Sequence, residues 1–278
     1  RPKYAQAQAE LRQSQRRNAH QFDASHWQLV EIYLRLHLSP QQVSDRLALE
    51  GRLAISTETI YQYVYADKAQ GGDLVSLLRC QKVRRKRYAS GHERRGVLKN
   101  RIGIEHRPAV VDLKRRIGDW EGDTVIGKGH KGALVTLVER KSRYTLAHPL
   151  SSKHSAGVTQ AIVELLRPHK KVCKTLTFDN GKEFAEHEFI GRCLGAKVYF
   201  AHPYCSWERG LNENTNGLLR QFFPKASSLL TVTKAHVDDA VYRLNHRPRK
   251  CLGYRTPHEV FYNLPVRPLT LHTVALCT

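Results

Sequence analysis

The sequence has no methionine, and its 278 residues begin at Arg1, so we expect a fragment or a processed chain whose N-terminal segment is missing. It also lacks a long apolar run. The longest largely apolar stretch runs from Ala133 to Val138, whereas a membrane-spanning helix needs about 20 such residues. No charged-then-apolar signal segment opens the chain, so the sequence predicts neither a membrane protein nor a secreted one.

Cysteine is scarce, and no two cysteines form a C-x-x-C pair. The six lie at positions 80, 173, 193, 205, 251 and 277, a pattern typical of free thiols in a reducing compartment. His202 and Cys205 make one H-x-x-C pair, but no second pair follows at the spacing of a zinc finger. A zinc module is therefore not predicted.

Acidic residues are few as well. The chain has 25 Asp and Glu against 46 Lys and Arg, which gives a net charge of +21 and a pI near 10.0. Such an excess favours a polyanionic partner, nucleic acid in preference to an acidic membrane surface. A hydrophobic content of 41% excludes wholesale disorder, because it is enough to build a core.

The positive charge is concentrated in one segment. Residues 79–116 hold 14 Lys and Arg against three acids, and they include Ser90, Gly91 and Gly96. We interpret residues 79–108 as a basic linker that contacts phosphate; the alternative is a solvated charged loop. The densest run, which we expect to bind DNA, is Arg84, Arg85, Lys86 and Arg87.

Residues 1–78 read as a helical region. Ser25 is a candidate N-cap, and Ser39-Pro40-Gln41-Gln42 combines an N-cap, a proline at the first helical position and a capping box. Ser56 is a candidate N-cap for a third helix. Three helices with a short connection between the last two describe a helix-turn-helix at about residues 39–66.

A helix-turn-helix places the start of its last helix in the major groove of DNA. That surface would offer Thr57, Glu58, Tyr61 and Gln62 here. The alternative interpretation is an ordinary helical bundle without a role in DNA binding.

After the linker the pattern changes to strands mixed with helices. We predict an α/β fold, a mixed sheet flanked by helices. The prediction rests on the order of elements, which is three strands followed by helix, strand, helix, strand and helix. We assign this core to residues 109–263 and a C-terminal tail to 264–278. The strands are predicted at 119–126, 133–139, 143–149, 175–178 and 197–201, and the helices at 155–166, 183–194 and 210–223.

Three acids in this core suggest a catalytic site. Asp123 lies within a predicted strand, Asp179 closes another, and Glu213 begins a helix, with 55 and 33 residues between them. If they converge, their mutual repulsion favours a divalent cation, and two Mg²⁺ ions roughly 3.5–4 Å apart would suit phosphodiester chemistry. Taken singly, each acid also fits a structural role in a strand, a turn or a helix start.

These acids and their flanking motifs resemble a known family. The spacing is similar to the D-D-E core of transposases and retroviral-type integrases, and the chain from about Arg1 to Asn263 resembles the insertion sequence 30 family of bacterial transposases. The motifs are SPQQVSDRL (39–47), ISTETIYQYVYADK (55–68), RRGVLKNRIGIEHRP (94–108), IGDWEGDTVIGK (117–128), TFDNGKEFA (177–185), HPYCSWERGLNENTNGLLRQFFPK (202–225) and NHRPRKCLGYRTPHEVF (245–261).

The resemblance implies a ribonuclease-H-like core in which Asp123, Asp179 and Glu213 hold two Mg²⁺ ions, with Mn²⁺ able to substitute. It implies cleavage at the ends of a mobile element and transfer of the freed 3′-hydroxyl into target DNA. The partner would be double-stranded DNA, bound by a homodimer or a higher oligomer in the bacterial cytoplasm, at the nucleoid. Members also carry another helix-turn-helix nearer the N-terminus, which no segment here matches.

Several assignments stay open. Asp119 is the second choice for Asp123, and Glu208 competes with Glu213. Glu183 is either an acid behind the site or a helix-start residue. Candidate hydrogen-bonding neighbours are Asn180, Asn212 and Asn216, and candidate phosphate contacts are Arg220 and Lys225, which otherwise read as solvated charges.

Aromatic residues near the third acid are expected in the core rather than as base-stacking platforms: Trp207, Phe222 and Phe223. Two other functions compete with the transposase. One is a DNA-binding regulator derived from a transposase, and the other is a nuclease of the same fold that cuts without joining.

Overall fold

The computed structural model describes residues 22–78, 100–203, 205–225 and 227–269. The chain divides into two compact units, Arg1–Gln81 and Lys82–Thr278. Most of the predicted basic linker, including Arg84, Arg85, Lys86 and Arg87, lies outside the described residues.

The first unit contains three α-helices: α1 (Ala24–Arg35), α2 (Pro40–Leu49) and α3 (Thr57–Ala69). Ser39 and Ser56 cap α2 and α3 as predicted, and Gln42 completes the capping box of α2. The prediction that Ser25 caps α1 is wrong. Asp23 is the cap, because its carboxylate accepts the backbone N–H of His26, while the Ser25 hydroxyl donates to Asp23.

Apolar residues spaced along one face of each helix form the core of this unit. They are fully buried at Val30, Leu34, Val43, Leu47, Ile60 and Val64. At the margin of this core, Trp27 of α1 stacks on Tyr63 of α3, with ring centroids 3.9 Å apart. Burial of one apolar stripe per helix therefore holds the three helices together.

The second unit is built on a five-stranded sheet with the order β3-β2-β1-β4-β5. The strands are β1 (Asp119–Ile126), β2 (Ala133–Glu139), β3 (Thr145–Leu150), β4 (Thr175–Phe178) and β5 (Lys197–Phe200). β1, β2 and β3 pair antiparallel, whereas β4 and β5 run parallel to β1. The predicted mixed sheet is thus confirmed. β3 begins two residues late, because Arg143 adopts a positive φ of 64° in the preceding turn.

Helices cover both faces of the sheet. Trp120, Leu137 and Phe178 pack in one core with α4 (Ser155–Leu166) and α5 (His187–Leu194). Val125 and Leu134 pack on the opposite face with α6 (Gly210–Leu219) and α7 (Lys234–Asn245), and a short helix, α8 (Pro257–Phe261), follows. This alternation follows from the two-residue period of a strand, which sends successive side chains to opposite faces.

Two predicted helices are shorter than expected. α5 begins at His187 rather than Glu183, because residues Lys182–Phe184 form a 3₁₀ turn that buries Phe184 against Phe178. α6 ends at Leu219 rather than Phe223, because the chain turns there and packs Phe223 into the core. None of the described helices is long and apolar enough to span a membrane.

Candidate active site

Strand β1 presents three acids to the α6 side of the sheet: Asp119, Glu121 and Asp123. Asp119 and Glu121 are fully buried. Asp119 accepts two hydrogen bonds from Arg116, at 2.8 and 2.9 Å, and a third from the hydroxyl of Thr175. Its charge is therefore compensated within the fold, which argues against Asp119 as a metal ligand.

Glu121 is compensated in a similar way. It forms an ion pair with buried Arg140, and its other oxygen accepts the backbone N–H of Asn212 at 3.2 Å. Burial raises the pKa of Glu121, against the lowering effect of Arg140. Arg140 also reaches Asp112, so this network ties β1 to the segment that enters the unit.

Asp123 differs from both neighbours because 24% of its side chain is exposed. Its Oδ1 accepts the backbone N–H of Thr124 at 2.8 Å, and its Oδ2 accepts the side-chain amide of Asn216 at 2.9 Å. The buried hydroxyl of Thr136 donates to Oδ1 of Asn216 at 2.9 Å. Thr136 thus fixes the amide of Asn216 so that its NH₂ group points at Asp123.

Asp179 follows β4 directly and is 21% exposed. β1 pairs in parallel with β4, with Glu121 beside Thr177, and continuing this register by two residues brings Asp123 and Asp179 side by side. Oδ1 of Asp179 accepts the N–H of Gly181 at 3.0 Å, the hydrogen bond typical of an Asp-Asn-Gly turn. The two strands therefore deliver two acids to one point at the edge of the sheet.

Arg209 lies between these two acids. Its Nη1 is 3.7 Å from Oδ1 of Asp123, and its Nη2 is 3.5 Å from Oδ2 of Asp179. Partial burial, with the negative charges of Asp179 and Glu183, raises the pKa of Asp123 to about 6, although the Arg209 charge acts to lower it. The arginine thus offsets the repulsion between the acids only in part.

Glu213 lies in the first turn of α6 and is exposed. It stands four residues after Arg209 and three before Asn216, so it shares the helix face from which both residues contact Asp123. No contact joins its carboxylate to Asp123 or Asp179, and the described residues contain no cluster of three or more His, Cys, Asp or Glu able to hold a metal ion. The structure therefore brings two of the three predicted acids together and leaves the third on the facing helix.

A cavity of about 740 Å³ opens beside the acid pair. Glu183 is the third acid on its wall, and it accepts a hydrogen bond from Thr124 at 3.0 Å. The same wall carries side chains that are or can become positively charged: His130, Lys153, His154 and Lys182. The cavity thus combines acids at its base with cationic groups suited to phosphate oxygens.

The chain is similar to proteins of known family. Residues 114–206 match the integrase core domain. A transposase for insertion sequence element IS4351 from Bacteroides fragilis is 42% identical over 257 residues, which cover 92% of this chain and 79% of that protein. Transposase InsI for insertion sequence element IS30A from Escherichia coli (strain K12) is 37% identical over 242 residues, covering 84% of this chain and 63% of that protein. The chain belongs to the insertion sequence 30 family of transposases.

A solved structure also aligns with this transposase. It is the simian T-cell lymphotropic virus intasome in complex with PP2A regulatory subunit B56 gamma, with 76% of each chain covered, 19% identity and a TM-score of 0.44. The sequence relatives, rather than this alignment, establish the family.

The other predicted site residues of the transposase occupy varied surroundings. Glu208 pairs with His202 at 2.8 Å, so the rival to Glu213 is engaged elsewhere. Asn180 is buried and donates to the carbonyl of Ala201 at 2.7 Å. Asn212 is also buried, and its side-chain amide makes no hydrogen bond within the described part of the chain.

The predicted DNA contacts of the second unit are partly engaged in the fold. Arg220 donates to the carbonyl of Ile126 at 2.6 Å, and burial lowers the pKa of its guanidinium. Lys225 is exposed. In α3 of the first unit, Glu58 and Gln62 are exposed, whereas Thr57 and Tyr61 are half-buried.

The prediction that Trp207 packs in the core is wrong, because 72% of it is exposed in a 3₁₀ turn two residues before Arg209. Phe223 is buried as predicted, and Phe222 packs partly against the same cluster. Residues that sequence reasoning missed are Arg209 and Thr136. The signal for Arg209 is its position four residues before Glu213, which places both side chains on one helix face. No local sequence pattern indicates a role for Thr136.

Proposed function

We propose that the chain is a D-D-E transposase that cleaves DNA at the ends of a mobile insertion element and transfers the freed 3′-hydroxyl into target DNA. The observation that carries this proposal is the pairing of Asp123 and Asp179. They are separated by 55 intervening residues in the sequence, yet both contact Arg209 beside a cavity that cationic side chains also line. Family membership points to the same chemistry.

The acids suit a divalent cation. Carboxylate oxygens are the donors that Mg²⁺ prefers. Asp123 and Asp179 lie close enough to share Arg209, and the negative charges of Asp179 and Glu183 add to the effect of burial in raising the pKa of Asp123. Asp123, Asp179 and Glu213 would hold two Mg²⁺ ions, or Mn²⁺ in their place. When bound, the ions would activate the attacking hydroxyl and stabilise the leaving oxygen.

The chain's own groups prepare this site. Asn216 and the N–H of Thr124 each bind one oxygen of Asp123 and thereby fix the plane of its carboxylate. The N–H of Gly181 does the same for one oxygen of Asp179. Glu213 completes the set by a change of side-chain rotamer on α6, because it already lies on the helix face directed at Asp123.

DNA binding is distributed along the chain. We assign recognition to the helical region 1–78, with Thr57, Glu58, Tyr61 and Gln62 at the major groove. We assign phosphate contacts to the basic linker 79–108, and chemistry to residues 109–263. Near the site, Lys153 and Lys182 would hold a phosphate over the acid pair, with Arg220 and Lys225 contacting DNA beyond it.

The partner is double-stranded DNA, both the ends of the element and the target. A homodimer or higher oligomer would bring two element ends together, and the chain would act in the bacterial cytoplasm at the nucleoid. These assignments rest on family membership and on the net charge of +21.

The test compares Asp179→Asn, Asp123→Asn and Glu213→Gln with the wild type on DNA that carries the inverted repeats flanking the gene. Each variant should lose strand transfer by roughly a hundredfold or more with Mg²⁺, since several kcal/mol of charge stabilisation is removed. DNA affinity should stay within about twofold. Glu188→Gln, an exposed acid on α5, is the matched control and should keep full activity. Full strand transfer by Asp179→Asn would refute the assignment.

A non-catalytic DNA-binding regulator is the second candidate. It is favoured by the position of Glu213, which is exposed and not joined to the acid pair. Calorimetric titration with Mn²⁺ separates the two, because a regulator should give no metal-linked heat. Pre-cleaved DNA ends then separate a transposase, which joins them to target DNA, from a nuclease of the same fold, which does not.

A further inference from the structure

Arg209 holds an unusual position for an arginine next to two acids. Its side chain is only 11% exposed, and it is aimed at the acid pair from the turn that precedes α6. Its closest polar contact is the carbonyl of Gly122, to which Nη1 donates at 3.3 Å. The Nε atom makes no hydrogen bond within the residues that the structure describes. The guanidinium is therefore largely buried but poorly bonded.

The other two acids of β1, Asp119 and Glu121, form closer ion pairs with arginine than Asp123 does. Arg116 makes two short hydrogen bonds to Asp119, and Arg140 is in direct contact with Glu121. Arg209 instead stands 3.5 and 3.7 Å from two different carboxylates, beyond ordinary charge-assisted hydrogen-bond length. It compensates charge without fixing either acid.

Two partly buried carboxylates side by side are stabilised by a nearby cation. A divalent ion held by the same oxygens would be repelled by a guanidinium a few ångströms away. We propose that Arg209 is an internal counter-ion that occupies the acid pair in the metal-free protein and must leave it when a divalent cation binds. This inference rests on the proposed function. The loose contacts of Arg209 fit the role, because few hydrogen bonds have to break for the side chain to swing away.

Calorimetric titration of the full chain with Mn²⁺, in the absence of DNA, tests the inference without measuring activity. Arg209→Gln removes the charge and should tighten the Mn²⁺ dissociation constant by roughly tenfold, because both competition and repulsion disappear. Arg209→Lys keeps the charge and should stay close to the wild type. Arg243→Gln, which loses only an ion pair with Asp239 on the surface of α7, should leave the constant unchanged.

Thermal unfolding provides a second readout. Without metal, Arg209→Gln should unfold at a lower temperature than the wild type, because the acids lose their counter-ion, and Mn²⁺ should raise its midpoint by more than it raises that of the wild type. If Arg209 is instead a scaffold that holds the acids in place, the glutamine variant will bind Mn²⁺ more weakly or equally, and the inference is overturned.

Failure of the inference can be told apart from failure of the proposed function. If the wild type binds Mn²⁺ and Asp179→Asn does not, the metal site stands, and the Arg209 variants alone decide the inference. Binding that appears only in Arg209→Gln would support the inference strongly. If neither the wild type nor Arg209→Gln binds Mn²⁺, the metal-dependent function and the role of Arg209 are both refuted.

Discussion

Asp123→Asn should stabilise the metal-free protein near neutral pH. The pKa of Asp123 is raised from 3.8 to about 6 by partial burial and by the neighbouring acids, so the folded state holds its proton more tightly than the unfolded chain does. The stability contributed by that proton is fully present below about pH 4 and is lost as the pH rises through about 6. A pKa raised by roughly two corresponds to about 3 kcal/mol. This is the most by which we expect the stabilisation of Asp123→Asn over the wild type, as free energy of unfolding, to increase between pH 4 and pH 7.

The assay is hydrogen exchange of strand β1, read by mass spectrometry. β1 lies inside the sheet between β2 and β4, so its amides exchange only when the sheet opens. Wild type and variant are compared at the same pH, because intrinsic exchange rates then cancel. Asp238→Asn, the same substitution at an exposed residue of α7, should change stability by less than about 0.5 kcal/mol at either pH. An Asp123→Asn effect that is the same at pH 4 and pH 7, or more destabilising at pH 7, would refute the reasoning.

Three further predictions concern the fold and the support of the site. Gly122→Ala should lower the free energy of unfolding by about 1–3 kcal/mol, measured in urea, because a Cβ there would lie 2.3 Å from the ring of Phe178. The control Gly217→Ala, in open space on α6, should be neutral or stabilising. Ser39→Ala should cost about 1 kcal/mol in the unfolding of the first unit, measured by circular dichroism, because the cap of α2 is lost. Thr136→Val should reduce strand transfer about fivefold, because Asn216 loses the hydroxyl donor that orients its amide. Circular dichroism should show an intact fold, and unchanged activity would contradict this role of Thr136.

Local signals account for what the sequence could predict. Ser39 with Gln42 starts α2 because the capping box is formed by residues three apart. The strand Thr175–Phe178 and the Asp-Asn-Gly turn after it are likewise set by adjacent residues. The spacing of Asp123 and Asp179 marks them as candidates for one site, but their meeting depends on the parallel pairing of β1 with β4, a strand order that local signals do not give.

The rest depends on contacts between distant segments. The pairing of Arg209 with both acids is decided by how α6 packs on β1, which no local pattern encodes. Trp207 is exposed although tryptophan is usually buried, because the turn that carries it does not pack into a core. The position of the Glu213 side chain is a rotamer choice, and sequence spacing fixes only its helix and face.

The placement of the acids gives the site one fixed side and one adjustable side. Asp123 belongs to β1 and Asp179 directly follows β4, and these two strands are hydrogen-bonded to each other at the spacing of about 4.8 Å that the backbone sets. Glu213 belongs to α6, which side-chain packing rather than backbone hydrogen bonds holds against the sheet. A site built in this way would adjust to ions of different radius through the Glu213 side chain, while the backbone that carries Asp123 and Asp179 stays in place.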